Sequence, residues 1–237
     1  MRRELHGTMR TLLATVSIGA RDRLTRYSLP RMEDWSRRCG MEFQVIRRSL
    51  IPAERPPHFN KLAIPAHFPD YDRYVIVDDD LLISRHAPPP PDTPLGSIGL
   101  VPDEEQRHTR AACVKWTGNT GFIVADKSTA PVFADALVRG SDATIWGYAD
   151  QSALNRSAWT MGKLESLDRR WNFMPVIHHF VTRDAWQQWS TRRTYRLGYY
   201  LDILLRPGSK NRRMIRDAYG VHLVRAPYPW LFSRLMS

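Results

Sequence analysis

The chain has 237 residues, of which 43% are hydrophobic and eight are Trp, and this composition excludes a wholly disordered protein. The length suits a single domain with a modest appendage and is sufficient for a sizeable core. Lys and Arg number 35 against 24 Asp and Glu, a formal net charge of +11. Such a charge attracts nucleic acid, an anionic membrane or a phosphorylated substrate without selecting among them.

The two cysteines, Cys39 and Cys113, have a spacing that fits no metal-binding motif. One pair does not make a disulfide framework, so we expect reduced thiols in a reducing compartment. No run of residues has the pattern of a signal peptide or the length of a transmembrane helix. The expected location is therefore the cytoplasm, with peripheral contact at a membrane as an open option.

Strand and helix patterns alternate at the start of the chain. Residues 12–18 predict a buried strand, and residues 42–46 predict a second strand. Between them, Ser28 is a plausible helix N-cap and Gly40 is placed to end that helix. Strand, helix and strand in this order predict a parallel βαβ unit. A short helix is predicted over residues 59–67.

Three consecutive carboxylates, Asp78, Asp79 and Asp80, follow the next apolar run at residues 74–77. In an extended chain residues i and i+2 point to one side, so Asp78 and Asp80 can converge on one cation while Asp79 points elsewhere. Hard oxygen ligands of this kind suit Mg²⁺ or Mn²⁺. A solvated acidic turn is the alternative, but apolar runs on both sides, the second at residues 81–83, favour a buried site.

Two polar clusters follow farther along the chain. A Gly-rich turn containing Asn119 and Gly121 leads into another predicted strand. Asp150 and Gln151 begin a predicted helix, where Asp150 is either an N-cap or a residue that faces a ligand. Residues 167–173 have mixed polarity and predict a further strand-like segment.

From Trp186 the sequence becomes basic and aromatic. Arginines between Arg192 and Arg216 are interleaved with tyrosines and with the apolar run 201–205. This composition favours contact with an anionic surface. A solvated helical face is the simpler interpretation of any single residue in the region.

Five motifs in one order resemble the GT-A glycosyltransferases, and most of all the retaining glycosyltransferase family 8, which includes glycogenin and lipopolysaccharide galactosyltransferases. In this sequence the motifs are Asp78-x-Asp80, Asn119-x-Gly121, Asp150-Gln151 with downstream Asn155, Trp171-Asn172-Phe173, and His222 ahead of Pro229-Trp230. The resemblance implies an α/β fold with a mixed, mostly parallel, Rossmann-like sheet flanked by helices and a basic C-terminal helical region. It also implies a catalytic core over 1–185, a basic helical appendage over 186–218, and a segment over 219–237 that returns to the active site.

The same resemblance implies roles for individual residues. Asp78, Asp80 and His222 match the ligands of Mn²⁺ or Mg²⁺, and Asp150 and Gln151 match the pair at the donor sugar and the reacting face. The residues implied to bind the donor are Lys61, Asp79, Asn119, Gly121, Arg225 and Tyr228.

Two positions depart from the family pattern. Tyr228 stands where a Lys that contacts the diphosphate is common, and Arg225 could supply that cation from three positions away. Ser152 stands where a second acid often follows the Gln. These departures bear on which donor is used and on how the intermediate is stabilised.

The implied activity is metal-dependent transfer of a hexose from a nucleoside-diphosphate sugar, a UDP sugar foremost, to a glycan or lipid-linked acceptor with retention. A phosphohydrolase is an alternative, because Asp-x-Asp after a strand also begins phosphatase sites, although Leu81 and Leu82 replace their small-hydroxyl motif. The other alternative is a non-enzymatic protein that binds nucleic acid or an anionic surface through the +11 charge. That alternative leaves the acidic triplet unexplained, so no specific nucleic-acid partner is expected.

Overall fold

A computed structural model of the protein describes residues 9–103, 114–142, 149–182, 189–224 and 228–237. The elements of the N-terminal half are β1 (Thr11–Val16), α1 (Asp22–Arg38), β2 (Glu42–Ile46), α2 (Asn60–His67), β3 (Arg73–Asp78), β4 (Leu81–Ile83) and β5 (Ile98–Pro102). They are followed by β6 (Gly118–Asp126), α3 (Ala130–Arg139), α4 (Asp150–Thr160), β7 (Leu164–Ser166), α5 (Pro175–Thr182), α6 (Trp189–Leu205), α7 (Lys210–Asp217), β8 (Gly220–His222) and α8 (Pro229–Leu235).

Six strands form one mixed sheet in the order β2-β1-β3-β6-β5-β7. The pairs β1–β2, β1–β3 and β5–β7 are parallel, whereas β6 is antiparallel to both of its neighbours. The mixed, mostly parallel sheet and the parallel β1-α1-β2 unit are therefore confirmed. A second, two-stranded antiparallel sheet pairs β4 with β8.

Strand β3 shows why the apolar runs of the sequence are continuous rather than alternating. Tyr74 and Ile76 are buried on one face of the sheet, in the cluster that includes α2, α3 and α4. Val75 and Val77 are buried on the opposite face, in the cluster that includes Trp35 of α1. Because helices cover both faces, all four positions from Tyr74 to Val77 are apolar.

The predicted start of the first helix is wrong. Helix α1 begins at Asp22, and Ser28 lies inside it. The Ser28 hydroxyl donates a hydrogen bond to the backbone carbonyl of Asp79. Ser28 therefore makes a tertiary contact and does not cap the helix. The end of the helix was predicted correctly, because Gly40 adopts a φ of +66° directly after it.

The strand predicted over residues 167–173 is also wrong. Asp168 accepts a hydrogen bond from the backbone N–H of Arg170 and thereby caps a 3₁₀ turn over Arg169–Trp171. The turn places the Trp171 ring in the core, stacked on Phe122 at a centroid distance of 5.0 Å. The mixed polarity of this segment therefore comes from a capped turn.

The C-terminal helices share one apolar cluster with the small sheet. Residues of α6, α7 and α8 pack with Leu82 of β4 and Val221 of β8. The predicted basic helical region thus consists of α6 and α7. Within the described ranges, no helix combines the length and apolar character needed to span a bilayer.

Candidate active site

A cavity of about 480 Å³ lies at the edge where β1 and β3 end and β6 begins. Parallel strands bring their carboxyl ends to one edge, and the antiparallel β6 brings its first residues to that same edge. The predicted site residues that line the cavity are Lys61, Asp78, Asp79, Asp80, Asn119, Asp150, Gln151 and His222. Most of the predicted site is therefore brought together.

Asp78, Asp80 and His222 each direct one potential ligand atom to a common point, and these three atoms lie within 4.8 Å of one another. His222 Nε2 is 3.0 Å from Asp80 Oδ1 and 3.6 Å from Asp78 Oδ2. The small sheet produces this proximity, because His222 is paired with Leu81, the residue after the triplet. The backbone N–H of Leu223 also donates to the carbonyl of Asp80, at 3.0 Å.

The three groups perturb one another electrostatically. Burial raises the pKa of Asp78, and Lys61 and His222 only partly oppose that effect. Desolvation acts in the same direction on Asp80, but the charge and hydrogen bond of His222, with the charges of Arg21 and Lys61, outweigh it and lower the pKa of Asp80. For His222, desolvation is outweighed by Asp80 and Asp78, so its pKa is raised.

Lys61 lies between two carboxylates, and its side chain is only 5% exposed. Its Nζ atom is 2.6 Å from Asp78 Oδ1 and 3.0 Å from Asp150 Oδ2. Although burial opposes the charged form, Asp150 and Asp78 raise the pKa of Lys61 above its usual value. Lys61 is therefore a protonated bridge that links the end of β3 to the start of α4.

Asp150 does not act as an N-cap, since it is the first residue of α4 and makes no capping hydrogen bond. Besides Lys61, its carboxylate accepts a hydrogen bond of 2.7 Å from the Thr120 hydroxyl. Of the two interpretations of Asp150, the structure thus favours the residue that faces the cavity.

Asp79 turns away from Asp78 and Asp80, as predicted, although Asp79 and Asp80 lie in a turn between β3 and β4 and not in an extended chain. Its carboxylate accepts hydrogen bonds from Arg21 Nε at 2.9 Å and Arg21 Nη2 at 2.5 Å. The sequence analysis did not find Arg21, because nothing in the loop after β1 marks it as the partner of a distant carboxylate.

Gln151 is oriented by Asp103, which the sequence analysis also missed. Gln151 Nε2 donates to Asp103 Oδ2 at 2.6 Å, and both side chains are buried. Asp103 comes directly after β5 and begins the acidic run Asp103-Glu104-Glu105. A carboxylate at a strand end was the signal that could have identified it. Farther along α4, Asn155 exchanges hydrogen bonds of 2.7 and 2.8 Å with the backbone of Gly118, which fixes the helix on β6.

Two of the described residues implied to bind the donor, Gly121 and Tyr228, do not line the cavity. Gly121 lies behind His222, where a Cβ atom would be 2.5 Å from the imidazole Cε1. Tyr228 is 47% exposed and packs edge-on against Tyr200. Arg225 lies outside the described residues.

The donor set fits a divalent cation of the Mn²⁺ or Mg²⁺ type. Two carboxylates and one imidazole form a mixed set of hard and borderline ligands that Mn²⁺ accepts. The imidazole is held from behind, since His222 Nδ1 lies 2.9 Å from Asn172 Oδ1. An outer hydrogen bond of this kind is typical of metal-binding histidines.

No family model and no curated protein sequence matches this chain. Its backbone is nevertheless similar to those of solved glycosyltransferases. A glycosyltransferase involved in glycosylation of the major capsid of PBCV-1 has a TM-score of 0.59 and 12% identity, over 95% of this chain and 98% of that one. The galactosyltransferase LgtC, solved with donor and acceptor sugar analogs, has a TM-score of 0.51 and 15% identity, over 95% of each chain. GlyE of Streptococcus pneumoniae TIGR4 has a TM-score of 0.52 and 13% identity, over 97% of this chain and 60% of GlyE.

At these identities the likeness is one of fold. The chain has the GT-A fold of these glycosyltransferases, with an Asp-x-Asp site at Asp78 and Asp80, and the predicted fold class is confirmed.

Proposed function

We propose that this chain is a metal-dependent glycosyltransferase that moves a hexose from a nucleoside-diphosphate sugar to a glycan or lipid-linked acceptor. The observation that carries the proposal is the convergence of Asp78, Asp80 and His222 in a cavity of about 480 Å³ at the strand ends of a GT-A fold. Two carboxylates repel a bare diphosphate, so binding one here requires a cation held by these three residues. A bound Mn²⁺ or Mg²⁺ supplies Lewis-acid stabilisation of the charge that develops on the departing diphosphate.

Lys61 and Asp150 bind and orient the sugar in this proposal. Lys61 and Thr120 fix one oxygen of the Asp150 carboxylate at 3.0 and 2.7 Å. The remaining lone pairs of that carboxylate are free to accept hydrogen bonds from sugar hydroxyl groups. Specificity for a hexose then follows, because the sugar hydroxyl groups must match the geometry of the buried Asp150 carboxylate, whose orientation is already fixed.

We propose retention at the anomeric carbon, because the cavity presents an amide where inversion would need a general base. Gln151 commits its Nε2 to Asp103, which leaves the amide oxygen as the group that can face a positively charged anomeric carbon. Asp150 is engaged by Lys61 and Thr120, so it is a poor base. One LgtC structure is described as an active-site mutant in which a glutamine becomes a glutamate, and Gln151 is the candidate counterpart here.

We further propose that α6 and α7 contact an anionic membrane, where a lipid-linked acceptor would be found. Large apolar side chains are exposed on α6 at helical spacing: Leu197, Leu201, Leu204 and Leu205, exposed by 60, 46, 46 and 72%. The following helix α7 carries the basic residues Lys210, Arg212, Arg213 and Arg216. Exposed leucines beside cations are typical of interfacial helices.

A thermal-shift panel of nucleotides and nucleotide sugars tests the enzymatic proposal. UDP or a UDP sugar is expected to raise the melting temperature only with Mn²⁺ or Mg²⁺, since ligand binding stabilises the folded state. Asp80→Asn should abolish that shift. Glu165→Gln, a change at an exposed carboxylate on the edge strand β7, should retain it.

Other results of the panel would contradict the proposal. Equal stabilisation by UDP in excess chelator would show that no cation is needed. Salt-sensitive retention of DNA or RNA that ignores Mn²⁺ would favour a nucleic-acid-binding protein. Release of phosphate from simple esters, without sugar transfer, would favour a phosphohydrolase.

A further inference from the structure

We propose that a relay of hydrogen bonds from the backbone N–H of Gly121, through Asn119 and Asn172, fixes His222 in the tautomer that presents a bare Nε2 to the carboxylate pair. Asn119 and Asn172 are positioning residues in this inference, and they act through His222. This inference depends on the proposed function in one respect, namely that the Nε2 lone pair binds the cation.

The relay begins at a group whose polarity is unambiguous. A backbone N–H can only donate, and the N–H of Gly121 lies 2.8 Å from the side-chain amide of Asn119. The Asn119 atom at that position must therefore be the oxygen Oδ1. Its Nδ2 is directed to the sulfur of Met174, at 3.7 Å.

The same oxygen decides the orientation of the next amide. Asn119 Oδ1 lies 2.7 Å from the side chain of Asn172, so the Asn172 atom at that position must be the donor Nδ2. The amide oxygen of Asn172 then faces His222 Nδ1, at 2.9 Å. Because that oxygen can only accept, Nδ1 must carry a hydrogen.

The tautomer of His222 follows. A protonated His222 ring donates from both nitrogens, to Asn172 from Nδ1 and to Asp80 from Nε2. When the ring becomes neutral it has one N–H, and with that hydrogen held on Nδ1 the lone pair is on Nε2. Nε2 is the atom 3.0 Å from Asp80 Oδ1 and 3.6 Å from Asp78 Oδ2. The ring thus presents a ligand atom to the point where the two carboxylates converge.

Burial gives the relay its effect. Asn172 is 2% exposed and His222 is 5% exposed, so solvent cannot easily replace the amide oxygen. The chain holds the two residues together, since the backbone N–H of His222 donates to the carbonyl of Phe173 at 2.9 Å. Glycine at position 121 completes the arrangement, because a Cβ there would be 2.8 Å from Asn119 Oδ1.

The first test is a titration of the full-length protein with Mn²⁺, followed by the electron paramagnetic resonance signal of the free ion. Asn172→Leu, which keeps the approximate shape but has no acceptor, is expected to weaken Mn²⁺ binding by about tenfold to a hundredfold. Asn211→Leu is the matched control, since that amide donates to Asp202 on α6 and does not line the cavity. Its Mn²⁺ affinity should equal that of the wild type.

A double-mutant cycle separates positioning from a general structural effect. In a His222→Ala background, Asn172→Leu should have almost no further effect on Mn²⁺ affinity, because the imidazole through which Asn172 acts is already absent. An equal loss in both backgrounds, or wild-type affinity in Asn172→Leu, overturns the relay.

The wild-type protein provides an independent measurement if Asn172→Leu does not fold. Long-range ¹H–¹⁵N correlation of the histidine rings at alkaline pH distinguishes the two neutral tautomers, and the His222→Gln spectrum assigns the signal. The expected result is a hydrogen on Nδ1; a hydrogen on Nε2 overturns the relay. If the wild-type protein binds no Mn²⁺, the proposed metal dependence fails, and the tautomer measurement still decides the relay.

Discussion

Arg21 holds the carboxylate of Asp79 with two hydrogen bonds, one from Nε and one from Nη2. This pair shows how three consecutive aspartates coexist at one strand end. Each carboxylate of the triplet has its own basic partner: Lys61 for Asp78, Arg21 for Asp79 and His222 for Asp80. The triplet is thus neutralised by three separate segments of the chain.

The Arg21–Asp79 pair predicts a stability effect. Arg21→Leu leaves the buried Asp79 carboxylate without its cation and should lower the free energy of unfolding by about 1 to 2 kcal/mol, a discounted value because the Arg21 side chain is 42% exposed. Urea unfolding measures the change. Arg37→Leu, which breaks an exposed ion pair with Asp34, is the control and should have little effect. Similar curves for the two variants would contradict the prediction.

Replacing Lys61 should destabilise the metal-free protein more than replacing Arg21 does. Lys61→Met leaves Asp78 and Asp150 uncompensated, and we expect a loss of about 3 kcal/mol in chelator. Added Mn²⁺ should restore part of the loss, because a cation near Asp78 replaces some of the missing charge. Unfolding curves with and without Mn²⁺ test this, with Lys127→Met at an exposed ion pair as the control. The prediction fails if Mn²⁺ shifts both variants equally.

The affinity for Mn²⁺ should rise with pH. Asp80 and Asp78 raise the pKa of His222 despite its burial, so the metal-free ring keeps a proton up to a higher pH than usual. A cation must displace that proton from Nε2, hence affinity increases as pH rises and levels off above the His222 pKa. Calorimetry in buffers of different ionisation enthalpy counts the released protons. His222→Ala should release fewer protons, whereas His67→Ala, at an exposed histidine, should match the wild type.

Gly121→Ala should impair the metal site selectively. The new Cβ would lie 2.5 Å from Cε1 and 2.6 Å from Nδ1 of His222, so the buried ring must move. We expect at least about a tenfold loss of Mn²⁺ affinity, as for other outer-sphere changes. Gly198→Ala is the matched control, because nothing lies within 4 Å of a Cβ on that helical glycine. Equal Mn²⁺ affinities in the two variants would refute the steric argument.

The proposed membrane contact predicts a binding pattern with vesicles. Wild-type protein should sediment with vesicles that contain anionic lipid, and less so as salt rises. Replacing Leu201 and Leu205 together by Ser should weaken that binding, since these side chains are exposed on α6. Val138→Ser, at a still more exposed apolar position on α3, is the control. Identical sedimentation with neutral and anionic vesicles would refute the electrostatic component.

Local patterns were sufficient to predict the parts of the site that lie at strand and helix ends. The apolar run before Asp78 identified β3. The separation of Asp79 from its two neighbours was also predicted, although a turn and not an extended chain produces it. The helix carrying Lys61 was predicted for the same kind of reason, because residues 59–67 have a compact apolar pattern. In each case one short segment contained the information.

The partners of these residues could not be predicted, because they depend on packing between distant segments. Lys61 was expected at the nucleotide, yet in the structure its charge is shared between Asp78 and Asp150. The neighbours of Arg21 in the sequence give no signal, and the strand-end position of Asp103 does not identify Gln151 as its partner. Their significance appears only when β1, β5 and α4 meet at one edge of the sheet.

The pairing of β4 with β8 has a consequence for biosynthesis. Asp78 and Asp80 are translated long before His222, which reaches them only when β8 joins β4. While the chain is still being translated, the two aspartates can have no imidazole beside them until His222 has left the ribosome. The candidate cation site is therefore completed late in synthesis, after the sheet that carries the aspartates can already have folded.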